Sequence, residues 1–122
     1  MWVRIAARYP IWYEVEPLAL YRMHFDSNTG RHIRTGEDIS YTCQAIDLFK
    51  HYLPSAMAER VSRKARETYA LAALETACAA HSSGDFVAVK AQIRAALGCS
   101  HSLAVILKLA PLLARLNWFR SA

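Results

Sequence analysis

The sequence of 122 residues lacks the features by which a phosphate-binding loop, a paired-cysteine zinc site or a membrane span is usually recognised. It contains no glycine-rich phosphate loop, no Cys-x-x-Cys pair, no array of internal repeats and no low-complexity tract. The apolar run from Leu103 to Leu116 is interrupted by Lys108, Pro111 and Arg115, and it is shorter than the ~20 residues that a membrane span needs. We therefore expect this run to form a core helix or, at most, an interfacial helix.

The three cysteines, Cys43, Cys78 and Cys99, are an odd number, and no secretory signal is recognisable. These two features predict a reducing compartment, in which the cysteines are buried free thiols. The alternative is a zinc site, because Cys78 is followed by His81 and Cys99 by His101 at short spacing. Neither pair is matched by a second pair of ligands, so we favour the buried thiols.

The composition describes a globular protein, with 54% hydrophobic and 20% charged residues. Fifteen Lys and Arg residues against ten Asp and Glu give a net charge of +5, but most of the basic residues are dispersed. The stretch from Arg60 to Arg66 is the one clear cluster. A solvated helix face is its simplest interpretation, peripheral contact with an anionic membrane is the functional alternative, and nucleic acid is not expected.

An apolar run from Glu16 to His24 ends in Tyr21, Arg22 and His24. Its alternation predicts an extended strand that begins at Pro17, and the polar residues 26–30 after it predict a turn. A strand that brings an arginine and a histidine to one place can hold a phosphate or a metal ion. In the alternative interpretation, His24 is a solvated side chain and Arg22 pairs with a carboxylate such as Glu16.

The segment from Tyr9 to His24, together with residues 34–39, resembles the end of the catalytic domain in bacterial family 2 glycosyltransferases. The resemblance covers about the first 55 residues. In that family, which has an inverting GT-A fold, a helix opened by an acidic pair and a Trp precedes a strand that ends in a Tyr-Arg-x-His motif. Residues 1–8 look like this helix without its acidic opening. The resemblance implies that residues 1–33 are a remnant of the catalytic domain and that residues 34–122 are a C-terminal helical domain.

The resemblance also implies a nucleotide-sugar donor, a glycan acceptor, and a Mn or Mg ion on the donor diphosphate in the full-length enzyme. It assigns Arg22 and His24 to binding of the diphosphate, and His24 also to the metal, since a neutral imidazole ligates such ions without adding charge. The sequence has no Asp-x-Asp motif and no acidic pair before Trp2, so no catalytic residue can be assigned. We expect the isolated chain to be inactive and to need no cofactor.

From Thr35 onward the apolar residues recur with a helical period of about 3.6. Thr35 followed by Asp38 has the spacing of a helix start, and an apolar stripe runs from Ile39 to Leu53. A second helix is predicted from about Ser55 to residue 81. The residues expected on its inner side are Met57, Val61, Ala65, Tyr69, Ala72, Ala73 and Ala77.

The turn at residues 82–85 separates this helix from the next, with Gly84 as a left-handed cap and Asp85 as the N-cap. A stripe from Phe86 to Leu97 marks the third helix, and Ser100 or Ser102 would open the last one. The chain is therefore predicted to be mainly α: a short N-terminal helix and an extended or β segment, followed by four antiparallel helices.

The Gly84-Asp85-Phe86 turn resembles one hairpin of a tetratricopeptide repeat. The competing functional class is therefore a helical protein-interaction module without chemistry of its own. In either class the N-terminal segment would leave apolar side chains uncovered, which predicts association of two or more copies through this segment. The expected location is the cytoplasm, with the inner face of the membrane as a peripheral contact.

Overall fold

The computed structural model describes residues 2–20 and 27–120, and the side chains of residues 3–20 and 27–115. These residues form six helices and no strand, which confirms the predicted mainly helical fold. Part of the predicted strand, residues 17–20, lies in no regular element, and its remainder lies outside the described residues. The helices are α1 (Trp2–Ala6), α2 (Asn28–Thr35), α3 (Glu37–Lys50), α4 (Ser55–Ser82), α5 (Phe86–Cys99) and α6 (Leu103–Arg120).

Helix α2 begins where the sequence predicted a turn. Ser27 is its N-cap, and the Ser27 hydroxyl accepts a hydrogen bond from the backbone N–H of Gly30 at 3.0 Å. The polar residues that favour a turn also favour a helix start, because the same short side chains can satisfy free backbone N–H groups. Helix α2 packs against α5 and crosses the predicted domain boundary between residues 33 and 34.

Gly36 forms the corner between α2 and α3. Its φ of 76° is left-handed, and a Cβ atom there would lie 2.9 Å from the carbonyl oxygen of Ala91 in α5. Thr35, predicted to cap α3, is instead the last residue of α2, and its hydroxyl donates to the carbonyl of His32 at 3.1 Å. That prediction is wrong because glycine at this corner ends one helix and starts the next without a side-chain cap.

Helices α3 to α6 run alternately up and down, as predicted. The end of α3 lies beside the first half of α4, where Lys50 pairs with Glu59 and Arg66 donates to the Asp47 carboxylate at 2.5 Å. Helix α6 runs in the direction of α4, because Lys108 binds Glu75 at 2.5 Å while the start of α6 lies near Glu67. Such an arrangement follows from short connections between consecutive helices.

Alanine is the most frequent residue in the core. The buried face of α4 carries Ala70, Ala73, Leu74 and Ala77, packed in one cluster with residues of α3, α5 and α6. Small side chains let α4 and α5 approach closely, so many weak contacts replace a few large ones.

The predicted inner face of α4 was wrong in part. Met57, Val61, Tyr69 and Ala72 are exposed, whereas Ala73 and Ala77 are buried as predicted. The residues that replace them on the inner side include Ala58, Ser62, Ala70 and Leu74. The inner face of α4 is thus shifted by about one residue from the predicted face, because the smaller side chains of α4, and not its larger ones, fit against α5.

The α4–α5 turn has the predicted caps. Gly84 adopts a φ of 78°, and the Asp85 carboxylate accepts the backbone N–H of Ala88 at 3.1 Å. Val89 is buried as expected, but Phe86 is 51% exposed and its ring stands edge-on to that of His81 at 5.8 Å. The prediction that Phe86 belongs to the inner apolar stripe of α5 is therefore wrong, because Phe86 lies in the first turn, at the end of the bundle.

A disulfide bond joins Cys43 in α3 to Cys99 in α5, with 6.1 Å between their Cα atoms. The prediction of three buried free thiols is therefore wrong for these two residues, while half-buried Cys78 keeps its thiol. Both bonded cysteines lie on the inner sides of their helices, where helix packing brings them within bonding distance. The bond closes a loop across a sequence separation of 56 residues.

Helix α6 packs one side on the core through Val105, Leu109 and Leu112. It starts after Ser102, whose hydroxyl accepts the N–H of Val105 at 3.4 Å, in accord with the prediction that Ser100 or Ser102 opens it. Within residues 2–20 and 27–120, none of the helices combines the length and the hydrophobicity that crossing a bilayer requires.

Candidate functional site

Residues 9–20, which we call the N-terminal segment, follow α1 without forming a helix or a strand. Pro10 and Pro17 lack a backbone N–H and restrict the residue before each of them to extended conformations. Between the prolines, the Glu14 carboxylate accepts the backbone N–H groups of Val15 at 2.9 Å and Glu16 at 3.4 Å. The Glu14 carboxylate thus holds a local bend at residues 15–16.

The N-terminal segment exposes nearly all of its large apolar side chains. Trp12 is 86% exposed and Leu20 is fully exposed, in contrast to the buried residues of the bundle. The other apolar residues of the segment are each 65% exposed or more: Tyr9, Ile11, Tyr13, Val15 and Leu18. Soluble proteins seldom leave a contiguous apolar surface uncovered unless it binds something. This segment is therefore the main candidate interaction site.

The elements on both sides of the segment contact the bundle. On the N-terminal side, the Arg4 guanidinium lies 5.3 Å from the centre of the Tyr52 ring, a cation–π contact with the connection after α3. On the C-terminal side, Arg34 of α2 forms a 3.0 Å ion pair with Asp85. A partner bound to the segment would consequently lie close to the helical bundle.

Gln92 fixes α2 and α3 to α5 from inside the bundle. Its side chain is fully buried, and its amide nitrogen donates to the carbonyl of Ile33 at 2.5 Å and to the Asp38 carboxylate at 2.9 Å. Buried polar groups are costly unless they are paired, so a residue that bonds the end of one helix and the start of the next specifies this corner. Sequence reasoning missed Gln92 because one glutamine in an apolar stripe gives no distinctive signal.

The predicted site residues Arg22 and His24 lie outside the described residues, so their assignment stays a prediction. The zinc alternative loses one ligand, because the Cys99 sulfur is bonded to Cys43 and cannot act as a thiolate. Among the residues that the structure describes, no three His, Cys, Asp or Glu side chains are grouped as a metal ion would require.

Among the grooves on the bundle surface, two contain several basic side chains on neighbouring turns. One, of about 880 Å³, lies beside α2 and the α4–α5 turn and is lined in part by Arg31, Arg34 and Asp85. The other, of about 680 Å³, lies at the start of α4 and includes the basic cluster predicted from the sequence. Its charged lining consists of Arg60, Arg63, Lys64 and Glu67.

One acidic residue offsets part of the basic groove. Lys64 donates to the Glu67 carboxylate at 2.7 Å, and hydrogen bonds from Lys64 and Ser102 hold the Glu67 pKa below its usual value. Glu67 therefore stays ionised and neutralises Lys64 more than it does Arg60 or Arg63. The groove keeps a basic character that suits an anionic ligand or surface.

No protein-family model, curated protein or solved structure matches this chain.

Proposed function

We propose that this chain is the C-terminal region of a family 2 type glycosyltransferase, in which the N-terminal segment completes the catalytic domain and the helical bundle supports it. The supporting observation is the exposure of the N-terminal segment beside a bundle that buries its own core. The segment that resembles part of a catalytic domain is thus also the segment whose apolar side chains are left uncovered in the described structure. A catalytic domain seated on the segment would remove this surface from water.

The chemistry in this proposal belongs to the complete enzyme. Arg22 and His24 would bind the diphosphate of a nucleotide sugar, and His24 would also ligate a Mn or Mg ion that offsets charge on the leaving group. A glycan hydroxyl would accept the sugar. One imidazole cannot hold such an ion alone, so the remaining ligands would come from the other part of the catalytic domain. The isolated chain is accordingly expected to transfer no sugar.

Two experiments test the proposal. Calorimetric titration of the chain with nucleotide diphosphate sugars and Mn²⁺ should detect no tight binding, and micromolar binding would contradict the fragment interpretation. Reading the coding sequence upstream of Met1 should reveal an acidic pair just before Met1 and an Asp-x-Asp motif about a hundred residues earlier. If both are found, His24→Ala in the complete enzyme should abolish most transfer, whereas His51→Ala, a change to an exposed histidine of the bundle, should not.

The alternative function is a helical interaction module without catalysis. It is favoured by the α4–α5 hairpin, whose Gly84-Asp85-Phe86 turn resembles that of a tetratricopeptide repeat. In that case the upstream sequence would continue as helical repeats or contain no acidic motif. The same reading of the coding sequence therefore separates the two functions.

Self-association of the isolated chain is a further part of the proposal. Without a catalytic domain, the segment could bury its apolar side chains against a second copy. Light scattering should detect dimers or larger species, and Trp12→Glu should reduce them, whereas Leu48→Glu on the exposed side of α3 should not. A monomer at high concentration would contradict this expectation.

The cytoplasmic location also stays a prediction. It was inferred from the odd number of cysteines and from the lack of a recognisable secretory signal, and the Cys43–Cys99 bond weakens the first of these arguments. Stable disulfides are rare in reducing compartments. Counting free thiols in the denatured chain under non-reducing conditions decides the matter: one thiol indicates an oxidised pair, and three indicate the reduced protein.

A further inference from the structure

The outer side of α6 is an apolar surface with a basic edge. Leu103, Ile106, Leu107 and Leu113 are exposed, while the opposite side of the helix packs on the core. The side chain of Leu107, near the middle of this surface, is 65% exposed. These four residues, which we call the α6 stripe, recur at the spacing of one helix face.

The basic groove meets the α6 stripe at the start of α6. Ser102, directly before Leu103, lines the same groove as Arg60, Arg63 and Lys64. Ser102 also lies close enough to Glu67 of α4 to help lower the pKa of that carboxyl, which places the start of α6 beside α4. Apolar side chains and cationic side chains are thus neighbours on one end of the bundle.

We infer that this combined surface binds the anionic face of a membrane, with the α6 stripe in the boundary between headgroups and acyl chains and the two arginines on lipid phosphates. A helix at the membrane interface needs an apolar side for the acyl chains and cations for anionic headgroups. Both are present here, and the chain carries a net charge of +5. A protein partner fits less well, because an acidic protein surface would match the arginines but would not need a stripe of four exposed aliphatic residues.

This inference does not depend on the proposed function. The membrane contact uses α4 and α6, whereas the glycosyltransferase proposal depends on residues 9–24. If the chain binds vesicles but is not part of a glycosyltransferase, the membrane inference still stands. If it is part of a glycosyltransferase but binds no vesicles, only the membrane inference fails.

Co-sedimentation with vesicles tests the inference. The chain should bind phosphatidylcholine vesicles containing 30% phosphatidylserine and should bind pure phosphatidylcholine much more weakly. Arg60→Gln with Arg63→Gln should lower the binding constant roughly thirtyfold, since each basic side chain near an anionic surface contributes a factor of about five. Lys90→Gln with Arg94→Gln removes the same charge from the exposed side of α5 and should have little effect.

The apolar contribution is tested separately. Leu107→Glu should lower binding at least ~10-fold, because the leucine would no longer enter the apolar boundary. Leu48→Glu, at a similarly exposed leucine of α3, is the matched control. Equal binding to both kinds of vesicle, or no binding to either, would overturn the inference. It would also be overturned if Leu107→Glu abolished a dimer in solution and left vesicle binding unchanged, since a second copy would then cover the stripe.

Discussion

The N-terminal segment and the helical bundle differ in how their apolar residues are used. The segment has the larger side chains, including Trp12, and leaves them in solvent. The buried face of the bundle is rich in alanines, and Ala70 and Ala73 are completely buried. Hydrophobic content therefore does not decide which part of this chain forms a core. Close packing of neighbouring helices decides it, and the segment has no such neighbour among the described residues.

The largest effect expected from this comparison comes from one leucine in each region. Leu74→Ala should lower the free energy of unfolding by about 2 to 5 kcal/mol, because Leu74 is fully buried and its removal leaves a cavity. Leu20→Ala removes the same atoms from a fully exposed position and should change stability by less than about 0.5 kcal/mol. Urea denaturation of both variants measures the difference. Equal losses would show that the segment is packed after all.

The disulfide should contribute the next largest effect. Cys43→Ser with Cys99→Ser should lower the free energy of unfolding by about 2 to 4 kcal/mol, since the bond restricts a long loop in the unfolded chain. Thermal denaturation with and without reducing agent is the measurement. Reducing agent should destabilise the unmodified chain and leave the double variant unchanged. If it has no effect on either protein, the two cysteines are not bonded.

The elements that depend on local signals could be predicted from the sequence. The start of α5 follows from Gly84 and Asp85, and the interior position of Ile39 follows from its helical spacing. The start of α2 could not be predicted, because Ser27 and Gly30 favour a turn as readily as a helix. Which element forms depends on packing of α2 against α5, and this is not encoded near residue 27.

The features that depend on tertiary packing were missed for the same reason. The Cys43–Cys99 bond requires α3 and α5 to lie side by side, and the odd number of cysteines gave no indication of the pair. The inner face of α4 was misassigned because Tyr69 has the larger apolar side chain, although Ala70 is the residue that is buried at the helix contact. The exposure of the N-terminal segment was predicted, because the sequence contains no further strand that could pair with it and cover its apolar residues.

A smaller effect is expected at the α4–α5 turn. Asp85→Ala should destabilise the chain by about 1 kcal/mol, because the N–H of Ala88 loses its acceptor and Arg34 loses its ion-pair partner. Asp85→Asn keeps an acceptor for the cap and should recover most of that loss. Thermal denaturation compares the two variants, and equal losses for both would mean that the charge contributes more than the cap.

Hydrogen exchange of the full chain, followed by mass spectrometry, tests most directly whether an uncovered segment adjoins a self-supporting bundle. Backbone amides of α4 and α5 are bonded within helices and should exchange only on extensive unfolding. At a protein concentration at which light scattering detects only the monomer, amides of residues 11–20 should exchange near the rate of an unstructured peptide, since the bonds that the structure gives them are those to the exposed Glu14 carboxylate. Protection of residues 11–20 comparable to that of α4 would contradict the account.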